Sequence, residues 1–229
     1  MFFSNDYDLD GIDFDWEGQQ TKEQRVAYYR LIRDTSLLLK HNNEQQQIQQ
    51  PRSRLVSLAL HPNMLVPRKL YQYLDRVHLM TYDMVRSSNQ YHATVQNTRK
   101  AVSALLRHDC PPEKLVVGIP LYARHGQNPG QVKTVAEIVD ETSAAVVLEK
   151  SSHNGYLFES QESLRSKLDL VREEGLGGVF FWEIGQDKQD ENTAPGGVIL
   201  QTVHNAAVVA DPDTEMQSSS PDDNDNDEL

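Results

Sequence analysis

The chain lacks several features that would assign it to other protein classes. Its single cysteine, Cys110, excludes a disulfide within the chain. We expect Cys110 to pack at a helix end, since no catalytic constellation surrounds it. No apolar run reaches the length of a membrane span, and the first residues lack the basic start and apolar stretch of a signal peptide. No glycine-rich phosphate loop follows a predicted strand, so nucleotide binding has no support.

Positive charge is scarce, and it is absent from the C-terminus. Residues 211–229 carry eight acids and no base, which is most of the net charge of −12. This tail has almost nothing to bury, so we expect it to be disordered, following one domain over residues 1–210. An acidic protein has no electrostatic reason to bind nucleic acid or an anionic membrane. A neutral polysaccharide is a better match.

Short apolar runs alternate with helical patterns along the chain, which predicts an α/β fold with parallel strands. The predicted strands are Gly11–Glu17, Arg54–Leu60, Arg76–Met84, Leu115–Arg124 and Leu176–Ile184. Carboxylates and aromatic residues cluster at the carboxyl ends of these strands, as in (β/α)8 TIM barrels. Five strands rather than eight predict an incomplete barrel with about five C-terminal β/α units.

Helix boundaries are predicted from capping residues. Thr21 and Gln24 form a capping box for a helix that runs to about Lys40, and Ser160 caps another that Gly175 closes. Further helices are predicted at Pro67–Leu74, before Pro111, at Thr134–Thr142 and at Gly197–Val209, with a small excursion at Ala144–Leu148 and Tyr156–Phe158. Asp187, after the last strand, has no assignable role.

The first predicted strand alternates acidic and apolar residues. Asp13, Asp15 and Glu17 share one face, roughly 6–7 Å apart from one to the next. Like charges at this spacing raise at least one pKa, so a proton is retained and shared. Glu17, at the strand end, has the best access to a substrate and is a candidate general acid. A metal cluster or solvated loop is the alternative, which the regular apolar interleaving disfavours.

Four segments together resemble family 18 glycoside hydrolases, the chitinases. Asp10–Glu17 reads D-G-I-D-F-D-W-E and is similar to the family signature D-G-x-D-x-D-W-E. Met80–Met84 resembles its M-x-Y-D strand end, and Gly118–Arg124 resembles its G-I-P-x-Y-G-R strand, with Ala123 where glycine is usual. Gly175–Trp182 resembles the last barrel strand. The resemblance spans roughly residues 5–210.

The resemblance implies substrate-assisted, retaining hydrolysis. Glu17 would protonate the glycosidic oxygen and later activate water, while the 2-acetamido oxygen of the substrate attacks the anomeric carbon. Asp15 would orient the acetamido N–H, and Asp13 would share a proton with Asp15. Neither a cofactor nor a metal ion is implied.

Substrate-binding residues also follow from the resemblance. Tyr82 would donate to the acetamido carbonyl, and Asp83 would contact the sugar or the catalytic acid. Trp182 would form the floor under the cleaved sugar, and Met80 would line the pocket wall.

Tyr122 and Arg124 alternate inward on their predicted strand and are interpreted as sugar-binding residues. Arg124 has the alternative of pairing with one of the acids. Three histidines on loops lack the spacing of a zinc site and are expected at the surface: His92, His125 and His153.

The acidic strand is the fourth in the family's barrel, yet here it begins at residue 11. Missing strands would leave two open sheet edges and an unfilled interior. We therefore expect either an incomplete sequence or a partner or dimer that covers the edges. The C-terminal Asn226-Asp227-Glu228-Leu229 resembles a K-D-E-L retrieval signal, which would place the protein in the secretory pathway or endoplasmic reticulum lumen. The alternative is an acidic tail that ends in leucine by chance.

The leading hypothesis is a chitinase-like hydrolase that binds chitin or N-acetylglucosamine oligosaccharides and cleaves their β-1,4 links. Two alternatives are a non-catalytic chitin-binding protein, which the presence of Glu17 disfavours, and an inactive fragment. Within enzymes, endo-β-N-acetylglucosaminidase action on N-glycans is a further alternative.

Overall fold

The computed structural model describes residues 9–18, 21–45, 54–84, 92–189 and 196–208. The predicted disordered tail, the terminal tetrapeptide and most of the glutamine-rich loop lie outside these residues. In chain order the strands are β1 (Gly11–Phe14), β2 (Leu55–Leu60), β3 (Arg76–Leu79), β4 (Leu115–Pro120), β5 (Tyr122–His125), β6 (Val132–Thr134), β7 (Ser152–His153), β8 (Tyr156–Leu157) and β9 (Gly178–Trp182).

Helices separate most of these strands. They are α1 (Lys22–Gln45), α2 (Val95–Leu106), α3 (Val135–Glu141), α4 (Ala144–Glu149), α5 (Gln161–Glu173) and α6 (Val198–Val208), with short 3-10 helices at Arg68–Tyr73, Pro112–Lys114 and Ile184–Gln186. None of the helices in the described residues is long and apolar enough to cross a membrane.

The main sheet has five parallel strands in the order β1-β2-β3-β4-β9, and each strand pairs with the next in the chain except across the excursion between β4 and β9. This confirms the predicted number of parallel strands and their α/β arrangement, with each strand lying within one of the five predicted segments. All six residues of β4 are buried, as expected for a strand covered on both faces. Three predicted strands end earlier than expected, because Glu17, Met84 and Ile184 lie beyond the hydrogen-bonded ladder.

The predicted single strand Leu115–Arg124 is wrong, because it is two strands in two sheets. β4 stays in the main sheet beside β9, whereas β5 joins a four-stranded antiparallel sheet in the order β6-β5-β8-β7. The chain turns away at Leu121, whose N–H donates to Trp182 O at 2.8 Å, the last residue of β9. Since β9 ends at Trp182, the chain beyond Leu121 has no further partner in the main sheet. Instead, β5 pairs with β6 and with β8, which lies in the predicted excursion.

The two larger of three hydrophobic clusters fill the space between the sheets and helices, and the third consists of Met80, Tyr82 and Tyr122. The larger lies between the main sheet and the helices that cover it, and includes Ile32, Leu58, Val102, Cys110 and Leu170. Cys110 is buried shortly after α2, as expected. The second cluster packs under the antiparallel sheet and against α5 and α6.

The capping predictions are confirmed. Thr21 N donates to Gln24 Oε1 at 2.8 Å, and Gln24 N donates to Thr21 Oγ1 at 3.2 Å. Ser160 caps α5, and Gly175 follows its end with φ of 61°. The first helix runs past Lys40 to Gln45, and the helix predicted near residue 70 is a 3-10 helix.

Asp187 caps the start of α6, a role that the sequence did not indicate. Its buried carboxylate accepts hydrogen bonds from the backbone N–H of Ile199 and Leu200, each at 3.0 Å, in the first turn of α6. Burial raises the pKa of Asp187, although these N–H groups favour the ionised form. A Cβ on Gly197 would lie 2.3 Å from Asp187 Cγ, so glycine is required there. Asp187 thereby fixes α6 to the chain that leaves β9.

Within the described residues, the main sheet has two open edges. β1 pairs only with β2, and β9 pairs only with β4. Large apolar side chains lie exposed on the β1 side: Leu9, Ile12, Trp16 and Val26. The open edges inferred from the number of strands are therefore present in this part of the chain.

Candidate active site

A cavity of about 300 Å³ lies at the carboxyl ends of the main-sheet strands. Its walls are formed by Asp13, Asp15, Glu17, Ala59, His78, Met80, Tyr82, Asp83, Phe180 and Trp182. The structure thus brings together seven of the nine residues that the sequence singled out. The other two, Tyr122 and Arg124, lie behind Asp83.

The alternation of the acidic strand is reproduced. Asp13, Asp15 and Glu17 face the cavity. Trp16 lies on the opposite face, where its ring meets Tyr28 of α1 edge-on at 5.1 Å between centroids. Phe14 also meets Tyr28 edge-on, so Phe14 and Trp16 hold this segment against α1 while the carboxyls point inward.

Two neighbouring strands hold Asp13. Ser57 lies directly opposite on β2, and its hydroxyl donates to Asp13 Oδ1. The ring of His78 on β3 places Nδ1 3.0 Å from the same oxygen. Burial alone would raise the pKa of Asp13, but the hydrogen bonds from His78 and Ser57 outweigh it and lower the pKa.

Asp15 is shifted in the opposite direction. Burial and the negative charge of Asp13 both raise the pKa of Asp15. A raised pKa within the acidic set agrees with the expectation from its spacing, and it falls on Asp15. Glu17, two residues after Asp15, is exposed at the mouth of the cavity.

Tyr82 is buried beside the acidic set. Its ring packs edge-on against Phe180 at 6.2 Å and against Tyr122 at 6.3 Å. Burial and the nearby charges of Asp15 and Asp83 raise the pKa of Tyr82 far above its ordinary value. The phenol is therefore a neutral hydrogen-bond donor throughout the physiological range.

Asp83 is surrounded by donors. Tyr122 Oη donates to Oδ1 at 2.7 Å, and Arg124 donates to both carboxylate oxygens, with Nη2 2.7 Å from Oδ2. Burial would raise the pKa of Asp83, but hydrogen bonds from His92, Arg124 and Tyr122 hold it well below its usual range. Of the two alternatives for Arg124, the structure shows an ion pair with Asp83 and not with the acids of β1. Direct contact of Tyr122 or Arg124 with a sugar stays a prediction.

The expectation that His92 lies at the surface is wrong, because its side chain is only 2% exposed. Met84 N donates to His92 O at 2.9 Å, so His92 lies beside the residues that follow β3. The ring then lies against Tyr122, 5.1 Å between centroids, with Nδ1 3.5 Å from Asp83 Oδ1. His125 and His153 are partly exposed.

Trp182 forms one rim of the cavity. It is the last residue of β9 and is 51% exposed, with Phe180 deeper on the same face of the strand. The Trp182–Glu183 peptide bond is cis. Met80 is buried in the wall on the β3 side.

Sequence reasoning missed three residues of the cavity and its support: Ser57, His78 and Phe180. Strand parity was the available signal, since His78 shares the face of Met80 and Phe180 that of Trp182. Parity alone did not identify the carboxyl that Ser57 and His78 contact. Among the described residues, no three His, Cys, Asp or Glu side chains form a group that could hold a metal ion.

Parallel strands joined by helices, with a carboxylate-lined cavity at their carboxyl ends, define the class of (β/α)8-barrel glycoside hydrolases. The family model for glycosyl hydrolases family 18 matches residues 1–187. The chain therefore belongs to this family, as the sequence motifs indicated.

Known proteins agree with this assignment. Chitinase 1 of Aphanocladium album is 24% identical over a match that covers 83% of this chain and 55% of that protein. The GH18 chitinase ChiB of Flavobacterium johnsoniae superposes with a TM-score of 0.73 at 20% identity, covering 89% of this chain and 62% of ChiB. A GH18 chitinase from Cycas revoluta, solved with (GlcNAc)3, gives a TM-score of 0.71 at 19% identity, covering 89% and 70% respectively. The chain thus has the fold of these two solved chitinases over 62% and 70% of their length, and its sequence match spans little more than half of Chitinase 1.

Proposed function

We propose that this chain provides the catalytic site of a chitinase-like hydrolase that cleaves β-1,4 links between N-acetylglucosamine units. One observation carries the proposal. Asp13, Asp15 and Glu17 share a cavity with Tyr82 and Trp182, so carboxyls, a phenol and an exposed indole surround one space. The Cycas revoluta relative was solved with an N-acetylglucosamine trimer, which supports this substrate class.

Glu17 is the general acid and base in this proposal. Its exposed position at the cavity mouth allows it to reach the glycosidic oxygen of a bound chain. Glu17 protonates that oxygen while the acetamido oxygen of the substrate forms a bond to the anomeric carbon, which releases the leaving sugar. Water, deprotonated by Glu17, then opens the resulting oxazolinium ring with retained configuration.

Asp15 and Asp13 serve the acetamido group. Asp15 keeps its proton to higher pH than Asp13, because burial and the charge of Asp13 favour its neutral form. The carbonyl oxygen of Asp15 accepts a hydrogen bond from the acetamido N–H. The negative charge of Asp13 stabilises the positive charge that develops on the oxazolinium ring.

Tyr82 and Trp182 position the sugar. The neutral phenol of Tyr82 donates to the acetamido oxygen, which fixes the direction of its attack on the anomeric carbon. The exposed indole of Trp182 stacks on the apolar face of the pyranose ring.

The test is hydrolysis of a fluorogenic chitobioside by the full chain and by Glu17→Gln. The variant keeps the size of the side chain but cannot transfer the proton, so we expect kcat to fall by about a hundredfold or more. Binding of chitotetraose, measured by calorimetry, should change little and is the control for folding.

Two outcomes would contradict the proposal. A wild-type chain that binds chitin without turnover would favour the non-catalytic binding protein. Release of intact glycans from an N-glycoprotein, with no cleavage of chitobioside, would favour endo-β-N-acetylglucosaminidase action instead.

A further inference from the structure

Asp13 lies within reach of two hydrogen-bond donors on neighbouring strands. Ser57 is its register partner on β2, and His78 is the register partner of Ala59, two residues further along β2. Ala59 has only a methyl group on the cavity side, which leaves room for the imidazole to cross β2. As a result, Nδ1 of His78 reaches Asp13 Oδ1 at 3.0 Å, and the Ser57 hydroxyl meets the same oxygen.

We propose that His78 is a positioning residue: its Nδ1–H, together with the Ser57 hydroxyl, holds Asp13 in its ionised form and thereby leaves the proton of the acidic set on Asp15. This inference rests on the proposed function for its catalytic consequence. The geometry on which it depends does not require that the chain be active.

The orientation of the imidazole is fixed from the other side of the cavity. Its ring lies 5.2 Å from the ring of Phe180 on β9, between centroids. Only 23% of the His78 side chain is exposed, so the contact with Asp13 is partly shielded from water. A hydrogen bond to a charged group is stronger in such surroundings than at an open surface.

The titratable groups that face His78 are acidic or neutral. From β1 and the residues after it come Asp13, Asp15 and Glu17, and after β3 come Tyr82 and Asp83. The residues that β2 and β9 contribute to this wall, Ala59, Phe180 and Trp182, are uncharged. Within the described residues that line the cavity, His78 is therefore the one side chain able to carry positive charge, and it contacts Asp13.

This contact accounts for the opposite shifts of the two aspartates. A half-buried carboxyl beside other carboxyls would ordinarily keep its proton. The donors from His78 and Ser57 instead lower the pKa of Asp13, and the resulting charge contributes to the raised pKa of Asp15. An apolar residue at position 78 would fill the same space but would not move the pKa values of Asp13 and Asp15 apart.

The decisive experiment is a carbon-13 NMR titration of the side-chain carboxyls in the full chain, assigned with Asp13→Asn and Asp15→Asn. In His78→Leu we expect the pKa of Asp13 to rise by about one unit or more and that of Asp15 to fall toward it. His78→Asn is the matched control, because its amide N–H can replace Nδ1–H, and most of the separation should return. An Asp13 titration that is unchanged in His78→Leu, or equally shifted in both variants, would overturn the proposal.

A second readout follows the catalytic consequence. With chitobioside as substrate, the acid limb of the kcat–pH profile should move to higher pH in His78→Leu, since Asp13 must be ionised, while KM stays nearly constant. His78→Asn should restore the wild-type limb, and failure to do so would count against the positioning role. If the wild-type chain shows no turnover although the NMR shifts occur, the proposed function fails and the assignment of His78 stands.

Discussion

The carboxyl groups of the cavity differ because their nearest neighbours differ. Asp83 receives donors from Tyr122 and Arg124, whereas Asp15 is close to a second negative charge. Both residues sit just beyond strand ends, so local sequence does not explain the contrast. The pKa of Asp83 depends on side chains from other parts of the chain, whereas that of Asp15 depends on burial and on Asp13, which β2 and β3 hold in place.

At the residue scale, the Asp83–Arg124 pair predicts a pH-dependent stability. The pKa of Asp83 is lowered in the folded state, so its ionised form stabilises the fold at neutral pH, and this contribution is lost as the pH falls below about 4. For Arg124→Met we expect a loss of about 1–2 kcal/mol at pH 7, reduced from a fully buried pair because the Asp83 side chain is 41% exposed. The difference from wild type should shrink in acid.

Urea unfolding at a series of pH values measures this difference. Arg99→Met is the matched control, because Arg99 pairs with Glu173 at the open surface and should change stability by less than about 0.5 kcal/mol. A loss that is the same at all pH values would show that Arg124 acts by packing and not through the charge of Asp83.

Among the elements, α5 depends on an ion pair in the interior. Lys167 lies two turns into the helix with its side chain fully buried, and its ammonium group contacts the carboxylate of Glu159, just before the helix. The Ser163 hydroxyl also donates to Glu159. Such a pair tolerates joint replacement much better than the loss of one member, because an unpaired buried charge is expensive.

This asymmetry gives a testable double-mutant cycle. Lys167→Met alone should lower the free energy of unfolding by about 3–5 kcal/mol, since Glu159 keeps a buried, uncompensated charge. Adding Glu159→Gln should recover a large part of the loss, as measured by urea unfolding followed by circular dichroism. If the double variant were as unstable as the sum of both single variants, the two groups would not be coupled.

For the whole molecule, the dominant feature is the edge of β1 that pairs with no other strand among the described residues. Unpaired strand edges and exposed apolar side chains favour association with another chain. Leu9, Ile12 and Trp16 are exposed along this side. We therefore expect the isolated chain to self-associate as its concentration rises, and sedimentation velocity would measure this.

A lysine substitution at the edge of β1 tests whether this edge is the contact. Ile12→Lys places a charge on β1 and should shift the chain toward the monomer, because edge lysines oppose strand pairing. Leu37→Lys is the control, since Leu37 is exposed on α1 away from a strand edge. Equal association of both variants and wild type would exclude β1 as the contact.

The sequence by itself determined most of the elements and which residues of the acidic strand share a face. Parity separated Asp13, Asp15 and Glu17 from Trp16, and capping residues placed the starts of two helices, because these patterns depend on neighbours within a few residues. Only the tertiary structure decided which side chains meet: Asp13 with His78, Asp83 with His92 and Arg124, and Asp187 with the start of α6. Those contacts join residues up to 65 positions apart, and they depend on strand register and on where the chain leaves the sheet.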